Sequence, residues 1–529
     1  MSGLDGTAVT DKMKYSVKKA AVRSEHHLRN IKASNGTQFD QELGSEIVLE
    51  LPSNANGSYV DFSKSHLRLT LALTHKNTSS TDTWTGFTAF QRSPESIIRR
   101  LQIFDASGSL LESFEHYNET AIVQDLLSDT VSRRSSTGLC TNEGLVMDAC
   151  DLSKRRAYPD LGGMLSYFAA TDGTDLENYN ILGSAYANGC IPNSPIAVDG
   201  EVTTSKDVIL QFSSAMFGGS AEKYLSQTSC NGLRFVLTLD SVANSYMIYS
   251  KTPETPAMTL SVKITDPTYF YSLVTVDPLV DASLLQSGRG PDGLIRVHSQ
   301  AWIHYSHTVP SDATSDEYIL PIRVSSLKAV YFGFQPAAQN LYGNSYSNAN
   351  SHVAVNEEDE DGVSLLSFAG NTAAAMKASW RDVGMTSYSF YVDGAPYPAT
   401  PVRVTGDPVG AGTTKAGCAE QHVELQRSMH ANLKQDGNVL TLGSGAVDGL
   451  LGMRSRNMLY GHEFESFSGK GLVIESGLNT LNSNISLRMT FSNTAGNVTL
   501  ENNNNLRVYA CHDVFLLIDP STGVIRTEI

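Results

Sequence analysis

The sequence predicts an all-β protein made of two similar halves, and three observations support this prediction. Short stretches in which apolar and polar residues alternate recur along most of the 529 residues. Such alternation is typical of strands that bury one face. Each half closes with two of these stretches. Charged residues make up only 18% of the chain, whereas 42 glycines and many Asn, Ser and Thr supply turns.

The first half, residues 45–276, begins with a strand at 47–51 and contains the clearest strand of the chain at 67–73. There four leucines alternate with other residues, which places all four on one face of a sheet. The half closes with alternating stretches at 233–240 and 258–264. Between these parts, residues 117–127 have apolar residues four apart, which predicts a helix.

The second half, residues 294–529, follows the same scheme. Strands are predicted at 294–304 and 327–334, and alternating stretches at 485–491 and 506–518 close the half. A helix is predicted at 420–434, because Leu425, Met429 and Leu433 recur every four residues. The two halves share this pattern but no repeat of residue identity.

The stretch 277–293 lies near the midpoint and contains Gly288, Gly290, Pro291 and Gly293, so we interpret it as the connection between the halves. Two long stretches, 131–205 and 335–380, are predicted to be long loops, and the first of them is expected to contain occasional strands. Many short strands with such long loops are typical of jelly rolls, barrels or sandwiches.

Residues 1–44 form a locally basic arm on a chain whose net charge is −16. One interpretation is a solvated terminus, and the other is an arm that contacts an anionic partner such as nucleic acid or an inner membrane surface. The candidate contact residues are Lys12, Lys14, Lys18, Lys19, Arg23, Arg29 and Lys32.

Composition and charge disfavour several classes of protein. The net charge of −16 argues against a surface that wraps nucleic acid along its whole length. No stretch is long and apolar enough for a membrane-spanning helix, and the first residues lack the apolar core of a secretion signal. We therefore expect the six cysteines to be reduced thiols inside a cell, and none forms a C-x-x-C pair.

No catalytic, cofactor or metal site is predicted. His26 and His27 have no Cys or carboxylate at ligand spacing, and the acidic run 357–361 lacks the spacing of a calcium loop. Neither a phosphate-binding glycine motif nor a nucleophile elbow is present. We expect no enzyme activity and no cofactor.

Four blocks in a fixed order resemble the double jelly-roll major capsid proteins of small eukaryotic DNA viruses, of the Polinton-like virus and virophage type. The first is 47–71, with Tyr-Val-Asp-Phe-Ser-Lys-Ser at 59–65, and the second is 96–127, with Arg-Arg-Leu-Gln-Ile at 99–103. The third is 388–404, with Tyr-Pro-Ala-Thr-Pro-Val at 397–402, and the fourth is 469–524, with Ser-Gly-Leu-Asn-Thr at 476–480. Each block is weakly specific, and their order across both halves carries the resemblance.

The resemblance implies two tandem jelly-roll barrels with long loops and a short helix in each half. It implies a homotrimer with a pseudo-hexagonal outline that builds an icosahedral shell around a DNA genome. The implied partners are neighbouring capsomers and penton and minor capsid proteins. The strongly basic start departs from the family pattern, so the genome or an inner membrane is expected as a partner of the arm from its local charge and not from the resemblance. The implied location is the virion, assembled inside the host cell.

A second class of function stays open from the residues alone. An all-β carbohydrate-active enzyme or a lectin-like binding module would also fit many short strands. Such a protein would need clustered aromatic residues, whereas Trp84, Trp302 and Trp380 are scattered along the chain. It would also need a carboxylate pair, which cannot be argued from spacing alone.

Overall fold

The computed structural model confirms an all-β protein with two tandem jelly-roll barrels and a short helix in each half. It describes residues 24–53, 57–78, 80–81, 83–90, 94–128, 190–219, 221, 223–250, 258–310, 313–336, 355–358, 364–367, 383–404, 419–430, 459–465, 477–491 and 504–528.

The described strands of the first half follow one another in chain order. They are β1 (Ser24–Lys32), β2 (Gln38–Asp40), β3 (Glu46–Pro52), β4 (Ser58–Asn77), β5 (Trp84–Phe90), β6 (Ile98–Asp105), β7 (Leu110–Phe114), β8 (Cys190–Ile196), β9 (Glu201–Leu210), β10 (Leu225–Ser226), β11 (Gly232–Leu239), β12 (Tyr246–Ser250) and β13 (Met258–Val276). Helix α1 (Tyr117–Ser128) lies between β7 and β8, and a single helical turn, α2 (Val242–Ser245), precedes β12.

These strands form two barrel sheets and one small accessory sheet. One barrel sheet has the order β1-β13-β4-β10, with β2 paired to β13 and β9 paired to β4. The other has the order β3-β11-β6-β7, and β12-β5-β8 form the accessory sheet. All described pairings are antiparallel, so hairpins and longer loops suffice to connect them.

The second half begins after helix α3 (Pro278–Gly288). Its strands are β14 (Ile295–Val309), β15 (Ser315–Leu320), β16 (Leu327–Pro336), β17 (Val355–Glu358), β18 (Ser364–Ser367), β19 (Met385–Val392), β20 (Ala395–Arg403), β21 (Tyr460–Glu463), β22 (Ile485–Phe491), β23 (Asn504–Asp519) and β24 (Val524–Glu528), and helix α4 (Ala419–His430) follows β20. The barrel sheets have the orders β14-β23-β16-β21, with β24 paired to β23, and β15-β22-β19-β20, while β17 and β18 form a hairpin.

The two barrels share one topology. The strands β1, β3, β4, β6, β7, β9, β11 and β13 correspond in order to β14, β15, β16, β19, β20, β21, β22 and β23. Numbered one to eight, the strands give sheets of order 1-8-3-6 and 2-7-4-5 in both barrels, which is the jelly-roll arrangement. Helices α1 and α4 both follow the fifth strand, so the helix is part of the repeat.

The cores confirm the strands predicted from alternation. The four leucines of 67–73 are buried on the inner face of β4, and the apolar residues of β11 and β22 are buried in the same way. Both cores contain packed aromatic rings: Phe212 contacts Phe235 and Tyr269 in the first, and Phe332 contacts Tyr388, Phe390 and Tyr460 in the second. Burial of each large apolar side chain contributes roughly 1.5–3 kcal/mol.

The start of the first barrel lies earlier than residue 45. Ser24–Lys32, which belongs to the basic arm in the sequence analysis, pairs along its whole length with residues 268–276 of β13. Most of its side chains are exposed, so it has no alternating apolar pattern. Backbone pairing with β13 therefore determines the position of this strand. Apolar periodicity in the sequence could not predict it.

The connection 277–293 contains helix α3 rather than turns alone. Asp277 caps the helix by accepting a hydrogen bond from the amide of Leu279 at 2.9 Å, and Pro278 occupies its first turn. The predicted helix at 420–434 is confirmed as α4 from Ala419 to His430, while Leu433 lies outside the described residues. Most of the two long loops also lies outside them.

Candidate functional site at the seam between the barrels

The two barrels meet along a seam, which we define as the contact of α1 and β7 with the outer face of the sheet that contains β14 and β23. Strand β7 lies beside β14 and β24. One continuous apolar cluster runs from the first core into the seam and includes Trp302, Leu516 and Ile525 of the second half. The two jelly rolls are therefore packed directly against each other.

Glu119 is the central charged residue of the seam. It lies in the first turn of α1 and is only 1% exposed. Its Oε2 lies 3.5 Å from Nε of Arg507 on β23 and accepts a hydrogen bond from the hydroxyl of Tyr509 at 3.3 Å. A buried carboxylate needs such partners, because removal from water is costly for an isolated charge. Glu119 thus joins α1 of one barrel to β23 of the other.

His304 of β14 completes this cluster. Its Nε2 lies 3.6 Å from Glu119 Oε2, and its ring packs against the rings of His116 and Tyr509. The pKa of His304 is lowered to about 3, mainly by burial and also by the charges of His116 and Arg507, although Glu119 opposes the shift. His304 is therefore neutral at neutral pH, and Arg507 supplies the positive charge opposite Glu119.

Trp302 marks the apolar part of the seam. Its indole stacks on Tyr331 with ring centroids 5.5 Å apart. When the side-chain amide of Gln124 on α1 donates to the carbonyl of Ser213 at 2.7 Å, its oxygen accepts from the indole N–H of Trp302 at 3.0 Å. The one polar atom of the tryptophan is thereby satisfied from the other barrel.

The lower end of the seam is closed by apolar side chains and by a turn. Met216, Phe217 and Leu225 of the first half face Val297 and Leu516 of the second across a narrow cleft. At its edge, the backbone N–H and side-chain amide of Asn231 donate to the carbonyls of Gly523 (3.1 Å) and Thr522 (2.9 Å).

Gly523 is required at this turn. Its φ is +70°, and an added Cβ would lie only 2.5 Å from the side-chain oxygen of Asn231. Both the backbone conformation and the close approach therefore favour glycine.

A second cluster of buried charged residues lies in the sheet that contains β14 and β23, whose outer face forms part of the seam. Lys328 Nζ lies 2.7 Å from Glu465 and 3.5 Å from Asp513, whose other oxygen lies 2.9 Å from Nε2 of His298. Ser326 also donates to Asp513. Asp513 is fully buried and Lys328 nearly so, and these contacts connect β16 with β23, while His298 stays partly exposed.

The predicted basic contact residues do not form one site in the described chain. Lys12, Lys14, Lys18, Lys19 and Arg23 lie outside the described residues. Arg29 and Lys32 lie on β1 and are exposed, and Lys32 Nζ is 2.7 Å from Asp266. The contact with Lys32 lowers the pKa of Asp266. Lys32 is therefore engaged within the first barrel.

The histidine pair at the start of β1 is also engaged within the protein. His26 Nε2 lies 2.6 Å from the hydroxyl of Ser272, and His27 lies 3.5 Å from Glu25. Among the residues that the structure describes, no group of three or more His, Cys, Asp and Glu side chains could hold a metal ion. Glu357 and Glu358 of the acidic run belong to β17, whereas 359–361 fall outside the described chain.

Cys230 and Cys511 are buried free thiols, and burial raises the pKa of Cys230 to about 11.

Among the described residues, no helix combines the length and apolarity needed to cross a membrane.

The seam residues Glu119, His304, Arg507 and Tyr509 are absent from the sequence predictions. A single glutamate in a helix or arginine in a strand has no spacing signal of its own. The one available hint is Arg507, a charge within the otherwise apolar stretch 506–511 of β23. Such a residue requires a buried partner, but the sequence does not show which one.

The comparisons with known proteins concern the whole double barrel. No family model matches the chain, and no curated protein matches its sequence. A chain of the Sputnik virophage, determined by cryo-EM, matches with a TM-score of 0.59 and 11% identity over 99% of this chain and 93% of that one. The chain is also similar to VP54 of PBCV-1 fitted into a Sputnik reconstruction, with a TM-score of 0.50, 11% identity and coverage of 98% and 99%.

A chain of the PBCV-1 virus capsid matches with the same TM-score of 0.50, 11% identity and coverage of 98% and 99%. At 11% identity, the similarity to these chains shows a shared fold. Because coverage is nearly complete on both sides, the double-barrel architecture is shared over the full length of these chains. The resemblance noted in the sequence is thereby confirmed for the fold.

Proposed function

We propose that the protein is a major capsid protein, a structural subunit rather than an enzyme. The observation that carries this proposal is the match of both barrels, over 99% of the chain, with a chain of a virophage particle. The seam supports it, because two barrels packed through an apolar cluster and a buried charge network form one wide building unit.

Three copies of such a unit would place six barrels around one axis. This ring has a pseudo-hexagonal outline, suits a lattice of neighbouring capsomers in an icosahedral shell around DNA, and leaves penton and minor capsid proteins to complete the shell. Closed rotational symmetry allows the flanks of each copy to pair without open ends. An obligate interface of this kind would exceed the roughly 1,200–2,000 Å² of ordinary complexes.

Light scattering of the purified protein tests the building unit. The proposal expects a stable homotrimer of three times 57.2 kDa, or 171.6 kDa. A single species of 57.2 kDa that persists at high concentration would contradict it and would favour the lectin-like or carbohydrate-active alternative.

The chain before β1 is assigned to the inner side of the shell, where its basic residues would meet the genome or an inner membrane. The support is the local positive charge on an acidic subunit. Protease added to intact particles, assembled inside the host cell, should spare Lys12 to Arg23. Rapid cleavage there, with the particles intact, would place this segment outside.

The proposed organisation retains two jelly rolls, at 45–276 and 294–529, around the connection 277–293. Strands β1 and β2 extend the first of them toward the N-terminus. Limited proteolysis of the soluble protein should release no stable single barrel, since the seam joins the two cores.

A further inference from the structure

Lys328, Asp513 and Glu465 place a buried amine between two carboxylates in the second half of the chain. Lys328 Nζ lies 2.7 Å from Oε1 of Glu465 and 3.5 Å from Oδ2 of Asp513. Lys328 is 6% exposed and Asp513 is 1% exposed. Burial of an ammonium and a carboxylate carries a large desolvation penalty, and this penalty is removed when the two ions become one neutral group.

The backbone directs the amine of Lys328 toward Asp513. The register between β16 and β23 shifts at Lys328, and such irregularities change the direction of a side chain. The amide of Asp513 donates to the carbonyl of Ser326 at 3.0 Å, and the amide of Phe464 donates to the carbonyl of Lys328 at 2.8 Å. Because Glu465 directly follows Phe464, the backbone holds both carboxylates beside the amine.

Two further side chains contact the carboxyl group of Asp513. Ser326 Oγ donates to Oδ2 at 2.5 Å, and Nε2 of His298 lies 2.9 Å from Oδ1, to which it donates in the tautomer that carries hydrogen on Nε2. Hydrogen bonds to both oxygens stabilise the negative charge that develops when a nucleophile attacks the carboxyl carbon. Ser326 is fully buried and accepts a hydrogen bond from the amide of Gly477 at 3.1 Å, which fixes its position.

His298 lies on the side of Asp513 that is nearest to solvent. It stays partly exposed and lines the narrow cleft between the two barrels. The oxygen Oδ1 beside His298 is therefore the one that can depart toward water, whereas Oδ2 stays enclosed beside Ser326.

We propose that Lys328 and Asp513 join in an isopeptide bond between β16 and β23, with Glu465 as the base. The new bond links Nζ to the carboxyl carbon, and the bond from that carbon to Oδ1 breaks. The ammonium gives up two protons, the first of them to Glu465, and both leave with Oδ1 as one water molecule. An ammonium and a carboxylate thereby become one neutral amide, Glu465 returns to its initial state, and no other reactant is consumed.

The isopeptide bond is a covalent connection within one chain. It joins neighbouring strands of the sheet whose outer face forms part of the seam, and it restrains the unfolded chain as a disulfide does. It requires no second copy, so its presence or absence is independent of the proposed capsomer.

Mass spectrometry of the denatured wild-type protein tests the bond. The chain should be lighter than its sequence by the mass of one water molecule. A protease digest should contain one branched peptide, in which the segment around Lys328 is joined to the segment around Asp513. A wild-type chain at its full sequence mass would overturn the proposal, whatever the behaviour of the variants.

Lys328→Arg is the matched control. Arginine keeps the positive charge, but its guanidinium does not lose a proton in proteins and therefore does not attack the carboxyl carbon. This variant should have its full sequence mass and no branched peptide. If it still lacked one water molecule, the loss would come from another pair of residues, and the proposed bond would be wrong.

Glu465→Gln tests the role of the base. Glutamine has a similar size but does not take the proton from Lys328, so the bond should form about 100-fold more slowly or less. Freshly purified variant should be mainly unlinked, while circular dichroism checks that it is folded. A folded variant that is linked as completely as the wild type would overturn the assignment of Glu465.

Discussion

The two barrels share one topology, but the barrel cores and the seam between the barrels are stabilised by different kinds of side chain. The inner faces of both barrels are apolar and combine aliphatic side chains with packed aromatic rings. The seam between them also contains buried charge, with Glu119 of the first barrel opposite Arg507 of the second. A core requires only apolar side chains of the right volume, whereas the seam requires particular partners. The two regions should therefore respond differently to mutation and pH.

The largest effect is expected in the first core. Leu69→Asp would place a charge on the fully buried face of β4, where nothing compensates it. We expect loss of soluble folded protein. The control is Ala72→Asp on the outer face of the same strand, whose neighbour in the register is Lys263, and this variant should fold. Circular dichroism of both variants distinguishes them, and a folded Leu69→Asp protein would refute the strand assignment.

The next largest effect is expected in the seam. Glu119→Gln would leave Arg507 without its buried negative partner, a change that typically destabilises by about 3–5 kcal/mol. Glu420→Gln in the first turn of α4 is the matched control, because Glu420 is exposed, and it should change stability by less than about 0.5 kcal/mol. Urea denaturation measures both, and equal effects would contradict the contrast between α1 and α4.

The pH dependence of the core follows from Glu112. Burial raises the pKa of this carboxyl from 4.5 to about 8, although the hydroxyl of Ser214 opposes the shift. The folded protein thus retains a proton that the unfolded chain releases above pH 4.5. Stability should fall between about pH 4.5 and 8, by up to ~1.4 kcal/mol per unit. Glu112→Gln should remove this decline, and an unchanged profile would contradict the assignment.

The pH dependence of the seam has the opposite sign. The pKa of His304 is lowered from 6.5 to about 3 by burial, so the unfolded chain binds a proton that the folded chain does not. Its contribution to stability is complete above pH 6.5 and is lost as the pH falls toward 3. His304→Asn should flatten the acid limb of the profile while the Glu112 limb persists.

The smallest effect is expected at the surface of the first barrel. Lys32→Ala removes the ion pair with Asp266, in which both side chains are substantially exposed. Water screens an exposed ion pair so strongly that it contributes little to stability, and the melting temperature should hardly change. A loss comparable to that of Glu119→Gln would mean that β1 depends on this contact.

The sequence predicted the strands in which alternating apolar residues face a barrel core. The apolar residues that recur at every second position of β4, β11 and β22 are buried, so alternation located these strands. Strand β1 has no such pattern, because pairing with β13 rather than burial determines it. The seam could not be predicted either, since Glu119 and Arg507 are 388 positions apart and meet only when both barrels have formed.

The central proposal is that the two barrels act as one subunit of a threefold capsomer. Electron microscopy of the purified wild-type protein tests it most directly. We expect flat particles with a pseudo-hexagonal outline and threefold averages that resolve six barrels around the axis. Particles of one or two barrels, without threefold symmetry at any concentration, would contradict the account.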